Sequence, residues 1–348
     1  MNRKYMVREE VTVKQAIEQM EKELIKAVVV VDDNDYVKGL FSNGDMRSFF
    51  LSGGKLSQNI CDAMNKNPVL YSSKEEIDIE RKKIKRILYP IVDENKKLLS
   101  VLDFEVDENG GNVSDILRNV PLVIMAGGKG TRLQPYTKIL PKPLIPIGDY
   151  TITERIIDEF QKYGCNKVFM ILNHKANMIK AYMNDLVKSY KIDFLEEEEF
   201  LGTAGGLKLL NGKINSTFFL SNCDVLINAD FECIYKTHKE KKNKITFVCS
   251  MKGIEIPYGV VETNSTGAVV DLTEKPGFSF LVNTGLYMLE PEVIEDIKDG
   301  EFIHMPDLAK RYIEKGEKVG VFPISDKAWM DMGQLSELED MKYRLGVQ

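Results

Sequence analysis

The chain has 348 residues, of which 43% are hydrophobic and 29% charged, and its formal net charge is −6. This length favours about two domains with sizeable cores, and the acidic balance argues against nucleic-acid binding, which depends on basic surface. We see no apolar run long enough to span a bilayer and no leader-type segment, so we expect a cytoplasmic protein with no membrane partner.

Cysteine and histidine offer no metal-binding pattern. The five cysteines are scattered without a C-x-x-C pair, which indicates reduced structural thiols. His174, His238 and His304 lie far apart in sequence and form no H-E-x-x-H motif, so we predict that none of them is a metal ligand.

The first 118 residues have the pattern of two copies of one small α+β unit. In copy one, Thr12 is expected to cap a helix with Ala16, Ile17 and Met20 on one face. A strand over 27–31, an acidic turn, a strand over 37–41 and a helix opened by the Ser-Asn-Gly-Asp of 42–45 follow. Copy two repeats this order, with a helix over 74–87 and strands over 88–92 and 97–102. Residues 105–120 are predicted to be a linker to a domain over 119–348.

The stretch from 122 to 146 contains the clearest chemical signal. An apolar run over 122–126 predicts a buried strand, and a loop with three glycines follows it. Glycine leaves backbone N–H groups accessible to phosphate, and Arg132 can hold a phosphate with two hydrogen bonds. Lys142 stands between two prolines, which stiffen the backbone around it. Neither the dinucleotide fingerprint nor the P-loop fits, because Leu133 replaces a required glycine and Thr131-Arg132 replaces Lys-Ser/Thr.

Strands and helices alternate after this loop. Helices are expected over 153–163, 177–188, 204–210 and 231–241, with strands over 167–172, 192–195 and 217–221 between them. This alternation predicts an α/β fold with a mostly parallel sheet and helices on both faces. Ligands of such folds bind at the carboxyl ends of the strands, where the glycine loop and Asn222 to Asp224 would lie.

The string from Gly127 to Pro143 resembles the GGxGTRLxPxTxxxPKP motif of the sugar-1-phosphate nucleotidylyltransferases. The resemblance implies a Rossmann-like, GT-A-like nucleotidyltransferase domain and transfer of a nucleoside monophosphate to a sugar 1-phosphate. It implies catalytic roles for Arg132, Lys142 and Lys275. Nucleotide contacts are implied for Ala126, Gly127, Gly128, Gly130, Thr131, Glu197, Gly202 and Asn222. Sugar contacts are implied for Gly259, Glu274, Asn283 and Thr284.

Two aspartates are candidates for Mg²⁺. Nucleotidyl transfer needs a hard cation on the phosphate oxygens, and carboxylates suit Mg²⁺. Asp224 follows a predicted strand, and Asp331, in Trp-Met-Asp-Met-Gly, matches the place of the family's second metal-binding Asp. The alternative roles are a turn residue for Asp224 and a helix cap for Asp331.

The acidic turn over 196–199, followed by Leu-Gly-Thr-Ala-Gly-Gly, resembles the base-recognition loop of guanylyl-type members. Guanine presents two adjacent donors that one carboxylate accepts, whereas uracil or thymine needs one acceptor and one donor and suits an amide. A carboxylate here favours GTP. Glu197 is the first choice and Glu199 the second, because spacing alone does not separate them.

The N-terminal pair of units resembles a tandem CBS module, in which Asp45 would hold the ribose of an adenine nucleotide. Copy two has no clear Ser/Thr-x-x-Asp, and a dimerisation or packing module is the alternative. A CBS pair before a guanylyl-type domain resembles the glucosamine-1-phosphate guanylyltransferases of bacterial legionaminic acid synthesis. Heptose and mannose 1-phosphates remain alternative acceptors, and we expect a homo-oligomer. A rival reading is a catalytically silent nucleotide sensor, but the complete set Arg132, Lys142, Asp224, Lys275 and Asp331 argues against it.

Overall fold

A computed structural model describes residues 3–347 except 24, 82–83, 85 and 104–114. The chain divides into two compact units. The first contains residues 1–111 and 251–280, and the second contains residues 112–250 and 281–348. In the described part of the chain, no helix has the length and apolar character that crossing a membrane requires.

The N-terminal part of the first unit contains the predicted copy one. Its elements are β1 Met6–Arg8, α1 Val13–Lys22, β2 Ala27–Val31, β3 Val37–Ser42 and α2 Asn43–Leu51. β2 pairs in parallel with β1 and antiparallel with β3. Thr12 caps α1 in a capping box with Gln15, an arrangement that stabilises a helix by about 1 kcal/mol. The buried face of α1 includes Ala16, Ile17 and Met20, as the spacing predicts.

Copy two consists of α3 Lys74–Glu80, β4 Tyr89–Val92 and the antiparallel partner β5 Leu98–Leu102. Its turn repeats that of copy one. Asp32 Oδ1 accepts the N–H groups two and four residues on, at 3.0 Å each, and Asp93 Oδ1 does the same at 2.9 and 2.8 Å. The helix predicted over 74–87 ends at Glu80. The predicted linker lies outside the described residues as far as 114.

From residue 122 the chain alternates between strands and helices. The strands are β6 Leu122–Ala126, β7 Pro146–Ile147, β8 Tyr150–Thr151, β9 Lys167–Leu172, β10 Lys191–Glu196, β11 Phe218–Asn222, β12 Val225–Ile227, β13 Ile245–Glu255, β14 Val260–Thr263, β15 Val269–Thr273, β16 Gly277–Leu289, β17 Val319–Ser325 and β18 Trp329–Asp331. The helices are α4 Tyr136–Ile139, α5 Ile152–Gln161, α6 Ala176–Asp185, α7 Phe231–Lys241, α8 Glu292–Glu295, α9 Met305–Glu314 and α10 Leu335–Arg344. The segment predicted as a helix over 204–210 is a 3-10 helix, Gly205–Leu210.

A seven-stranded sheet in the order β10-β9-β6-β11-β16-β13-β17 forms the centre of the second unit. Its first four strands are parallel, and β16 runs antiparallel to β11. β6 is buried throughout. Its Leu122, Ile124 and Ala126 pack in one core cluster, and its Val123 and Met125 pack in another. Because successive side chains of a strand point to opposite faces, both faces of the sheet are covered, which confirms the predicted α/β architecture.

The first unit also includes residues 251–280, which come about 140 positions after the end of its N-terminal part. Met251 is buried in the same core cluster as the strands of copy one. A Cβ on Gly253 would lie 3.0 Å from Leu56 Cδ1, and the Leu56 N–H donates to Ser279 Oγ at 3.4 Å. The predicted division placed this segment with 119–348, but its packing places it with the N-terminal unit.

Candidate functional site

Three loops meet at the carboxyl ends of the parallel strands. The Glu197 N–H, just after β10, donates to the Leu172 carbonyl of β9 at 2.8 Å. Asn173 Nδ2 donates to the Glu197 carbonyl at 2.9 Å, and the His174 N–H donates to the Gly127 carbonyl at 3.4 Å. The glycine loop therefore lies beside the acidic turn, as expected for an open α/β sheet.

A cavity of about 300 Å³ opens at this edge. It is lined by nine of the predicted residues, namely Gly127, Gly128, Gly130, Thr131, Arg132, Lys142, Gly202, Asn222 and Asp224. Ala126 is buried behind this lining at the end of β6. The cavity is also lined by residues that sequence reasoning did not single out, namely Met125, Phe200, Thr203, Cys223 and Gly333.

The glycine loop rests on the segment that contains Lys142. Gly130 has φ +63°, and a Cβ on it would lie 2.9 Å from Thr137 Cγ2 and 3.3 Å from Lys142 Cβ. Thr137 Oγ1 donates to the Gly130 carbonyl at 2.8 Å. Glycine is needed at position 130 both for this backbone conformation and for the close approach to Thr137 and Lys142. The glycine loop therefore packs directly against the segment that contains Lys142.

Lys142 and Asp224 form an ion pair within the cavity, and their side chains are only 12% and 14% exposed. Asp331 lies next to Asp224, because β12 and β18 are antiparallel neighbours in which Val225 pairs with Asp331. The Met332 N–H donates to the Asp224 carbonyl at 2.8 Å. The structure thus brings both predicted metal-binding aspartates to one place.

The donor set at this place fits Mg²⁺. Asp331 Oδ1 is buried and has no hydrogen-bond partner among the described residues. Burial, helped by the charges of Asp224 and Glu337 and opposed by that of Lys142, raises the pKa of Asp331 to about 6. Two carboxylates with an uncompensated oxygen suit a hard cation that takes its other ligands from phosphate and water. Among the described residues, no group of three or more His, Cys, Asp or Glu side chains is arranged so that it could hold a metal ion by itself.

The structure separates the two candidate base-recognition residues. Glu197 is 5% exposed, whereas Glu199 is exposed to solvent. Both carboxylate oxygens of Glu197 are buried without a hydrogen-bond partner among the described residues. Burial raises its pKa to about 7. A Cβ on Gly127 would lie 2.7 Å from Glu197 Oε2, so the carboxylate lies directly under the glycine loop.

The predicted sugar-site residues fall in both units. In the first unit a Cβ on Gly259 would lie 2.9 Å from Glu274 Oε2, so these two residues are neighbours. In the second unit the Thr284 hydroxyl, which is 2% exposed, donates to the Val248 carbonyl at 2.7 Å. The Thr284 hydroxyl, which we expected to contact the sugar, is therefore engaged in a hydrogen bond between β16 and β13. Asn283 Nδ2 donates to the Tyr287 hydroxyl at 2.8 Å.

Asp45, the predicted ribose ligand, lies in the first turn of α2 and bonds to the helix cap, Ser42. Its Oδ2 accepts from the Ser42 N–H at 2.8 Å and from the Ser42 hydroxyl at 2.5 Å. Together they form a capping box at the start of α2. Binding of an adenine nucleotide at Asp45 stays a prediction.

A glycine-rich backbone facing paired carboxylates at the carboxyl edge of a parallel sheet is typical of α/β proteins that bind nucleotide phosphates. Within that class, the chain belongs to the family described as nucleotidyl transferase, whose model matches residues 122–346. Residues 1–52, which form copy one, match the model of the CBS domain.

The chain is similar to curated relatives with different base and sugar names. It is 30% identical to a UTP–glucose-1-phosphate uridylyltransferase of Synechocystis, over 62% of this chain and 60% of that protein. It is 32% identical to a mannose-1-phosphate guanyltransferase of Aspergillus fumigatus, over 51% of each chain. The chain thus spans between half and two thirds of the length of these relatives.

Similarity to a solved structure supports the fold. The crystal structure of HddC from Yersinia pseudotuberculosis superposes with a TM-score of 0.52 at 23% identity, covering 65% of this chain and 99% of that one. At this level of identity the likeness concerns the fold alone.

Proposed function

We propose that this protein transfers a nucleoside monophosphate from a nucleoside triphosphate to a sugar 1-phosphate, releasing pyrophosphate. The main support for the proposal is that the glycine loop, Arg132, Lys142 and Asp224 line the same cavity. Its backbone amides and cations suit a triphosphate, and its carboxylate beside Asp331 suits the accompanying cation.

We propose GTP as the donor. Glu197 is a buried carboxylate with two unsatisfied oxygens under the glycine loop. Guanine N1–H and the 2-amino group would give each oxygen a partner, and this would offset the cost of burying the charge. The O4 acceptor of uracil would instead face a carboxylate oxygen, and two acceptors cannot bond each other.

In the proposed reaction an oxygen of the sugar 1-phosphate attacks the α-phosphorus in line. The new P–O bond forms as the bond to the pyrophosphate oxygen breaks. The attacking oxygen is already anionic, so no general base is needed, and catalysis depends on positioning and charge neutralisation. The glycine-loop amides and Arg132 would bind the β- and γ-phosphates, and Lys142 would leave Asp224 for the α-phosphoryl oxygens. Mg²⁺ held by Asp224 and Asp331 would neutralise phosphate charge.

Lys275 is the proposed ligand of the acceptor phosphate. It precedes Pro276 and adopts φ +45°, a left-handed conformation that is uncommon for a residue with a side chain. Such strain is concentrated at functional positions, which supports a role beyond packing. Glu274, next to it, would accept hydrogen bonds from sugar hydroxyls or a protonated amino group. We propose glucosamine 1-phosphate as the acceptor, with heptose and mannose 1-phosphates as alternatives.

A panel of donors and acceptors tests these proposals. We would measure pyrophosphate release with Mg²⁺, crossing GTP, UTP, CTP, dTTP and ATP with glucosamine, mannose, glucose and heptose 1-phosphates. Turnover with GTP alone would support the role of Glu197 and would also identify the sugar. Turnover with UTP or dTTP would overturn the base assignment and keep the reaction class. Nucleotide binding without turnover would favour a silent sensor.

A further inference from the structure

Two exposed phenylalanines pack against each other, and one of them lines the cavity. Phe200 lines the cavity and is 44% exposed, and Phe302 is 60% exposed. Their ring centroids lie 6.2 Å apart with the planes at 72°, an edge-to-face arrangement. Single exposed apolar residues are ordinary on protein surfaces, but a paired aromatic cluster at a ligand cavity indicates a binding role.

The backbones on either side fix where these rings lie. The Ile303 N–H donates to the Leu201 carbonyl at 3.1 Å, and the Ile303 carbonyl accepts from the Ala204 N–H at 3.1 Å. The Met305 N–H donates to Thr203 Oγ1 at 3.0 Å. Each phenylalanine immediately precedes one of the two hydrogen-bonded residues, 201 and 303. The two phenylalanine side chains therefore project from neighbouring positions on two hydrogen-bonded segments.

The Phe302 ring is packed on more than one side. His304 meets it edge-to-face, with ring centroids 5.1 Å apart and planes at 84°. His304 is itself tied to the turn, because the Thr203 N–H donates to its Nδ1 at 3.3 Å. Phe302 is thus held between His304 and Phe200, and it limits the orientations open to Phe200.

We propose that Phe200 stacks on the base of the bound nucleoside triphosphate and that Phe302 is a positioning residue for Phe200. The inference deepens the proposed function and rests on it. Aromatic rings bind the flat faces of bases, and stacking depends little on which base is present. Glu197 would read the edge of the base and so determine which nucleotide binds, whereas Phe200 would contribute affinity for any of them.

Steady-state kinetics with GTP tests the role of Phe200. Phe200→Ala is expected to raise the KM for GTP about tenfold with kcat within about twofold, because the ring contacts the base and not the reacting phosphates. Phe200→Tyr keeps a stacking ring and should keep the wild-type KM. Phe302→Ala should raise the KM by a smaller factor, since Phe200 remains. Tyr343→Ala, which removes an 85% exposed aromatic from α10, is the matched control and should change neither constant.

Tripolyphosphate separates base stacking from loop shape. It has the phosphates of the nucleotide without its base, so its inhibition constant should be the same for wild type and Phe200→Ala. An equal loss of tripolyphosphate and GTP affinity would mean that the ring only shapes the loop, and it would overturn the proposal. An unchanged KM in Phe200→Ala would overturn it as well.

The nucleotide that the wild-type protein uses tests the proposed function separately from the stacking proposal. If it used UTP in place of GTP, the guanine assignment would fail, and the same variants would test stacking with UTP. If it turned over no nucleotide, the proposed function would fail. Calorimetric binding of GTP to wild type and Phe200→Ala would then decide the stacking proposal by the same tenfold difference.

Discussion

Asp224 and Asp331 are held side by side by a short antiparallel pair of strands. Val225, next to Asp224, pairs with Asp331, and the Met332 N–H bonds to the Asp224 carbonyl. Backbone hydrogen bonds therefore set the positions from which the two carboxylates project. A site fixed in this way does not depend on the ordering of a flexible loop, and it is suited to holding one cation against a phosphate chain.

We expect Asp224→Asn and Asp331→Asn each to lower Mg²⁺-dependent pyrophosphate release by about a hundredfold or more, since each removes half of the carboxylate pair. The melting temperature of Asp331→Asn should be unchanged or higher. Burial, helped by the nearby charges of Asp224 and Glu337, raises the pKa of Asp331 to about 6, which means that its charge is unfavourable in the folded protein. Turnover and calorimetry over a Mg²⁺ titration check both points.

Asp340→Asn is the control for this pair, because Asp340 is 62% exposed on α10. It should behave as wild type in both measurements. Wild-type turnover in Asp224→Asn or Asp331→Asn would count against the carboxylate pair as the metal site.

Glu197→Gln should change the choice of base. A glutamine amide presents one acceptor and one donor, which matches uracil or thymine and leaves one guanine donor facing an N–H. We expect the ratio of kcat/KM for GTP to that for UTP to fall by about a hundredfold. Glu199→Gln removes the same charge from an exposed position two residues away and should leave the ratio unchanged. A ratio that moves in Glu199→Gln and not in Glu197→Gln would reverse the assignment.

The raised pKa of the Glu197 carboxyl should also make the stability of the protein depend on pH. Burial raises its folded-state pKa to about 7, above the ordinary value of 4.5. Between these values the folded protein holds a proton that the unfolded chain releases, so this contribution to stability is full below pH 4.5 and is lost as pH rises through 7. Glu197→Gln should therefore melt at a higher temperature than wild type at pH 8, by the equivalent of up to about 3 kcal/mol. The gap should narrow towards pH 5 in parallel calorimetric scans, and a gap independent of pH would contradict the assignment.

Local patterns were enough to predict the centre of the fold. The apolar run at β6 and the glycines after it predicted a buried strand ending in a glycine loop, and the structure places both there, while phosphate binding by the loop stays a prediction. α5 lies within one to two residues of its predicted limits, because its apolar spacing is regular and Thr151 caps it. Fold and cavity position could thus be read from strand, loop and helix signals in sequence order.

Features set by tertiary packing could not be predicted in this way. β12 and β18 have three residues each and no usable periodicity, so their pairing, which joins Asp224 to Asp331, has no local signal. Spacing did not show that Glu197 faces inward and Glu199 outward. The attachment of residues 251–280 to the first unit depends on Met251 entering its core. Phe302 was missed because it reaches Phe200 through hydrogen bonds between segments about a hundred residues apart in the chain, such as the bond from the Ile303 N–H to the Leu201 carbonyl.

A partly buried polar network around Glu290 offers a test of stability away from the cavity. Glu290 accepts hydrogen bonds from Lys239 Nζ at 2.7 Å and from the Thr217 hydroxyl at 3.0 Å, and it lies 3.3 Å from His238 Nε2. His238 is fully buried, and its Nδ1 lies 2.8 Å from Thr246 Oγ1. Burial alone would raise the pKa of Glu290, but the hydrogen bonds outweigh this effect and lower it to about 2.

Because the folded-state pKa of Glu290 lies below the ordinary 4.5, its contribution to stability is present above pH 4.5 and is lost as pH falls through 2. We expect Glu290→Gln to lower stability by about 2 to 3 kcal/mol at pH 7 and by less at pH 3, since the wild-type protein itself loses the contribution there. Urea unfolding at the two pH values, followed by circular dichroism, measures the difference. Glu314→Gln, at an exposed position on α9, is the control and should unfold as wild type. An equal loss at both pH values would show that Glu290 stabilises the fold through packing and not through its charge.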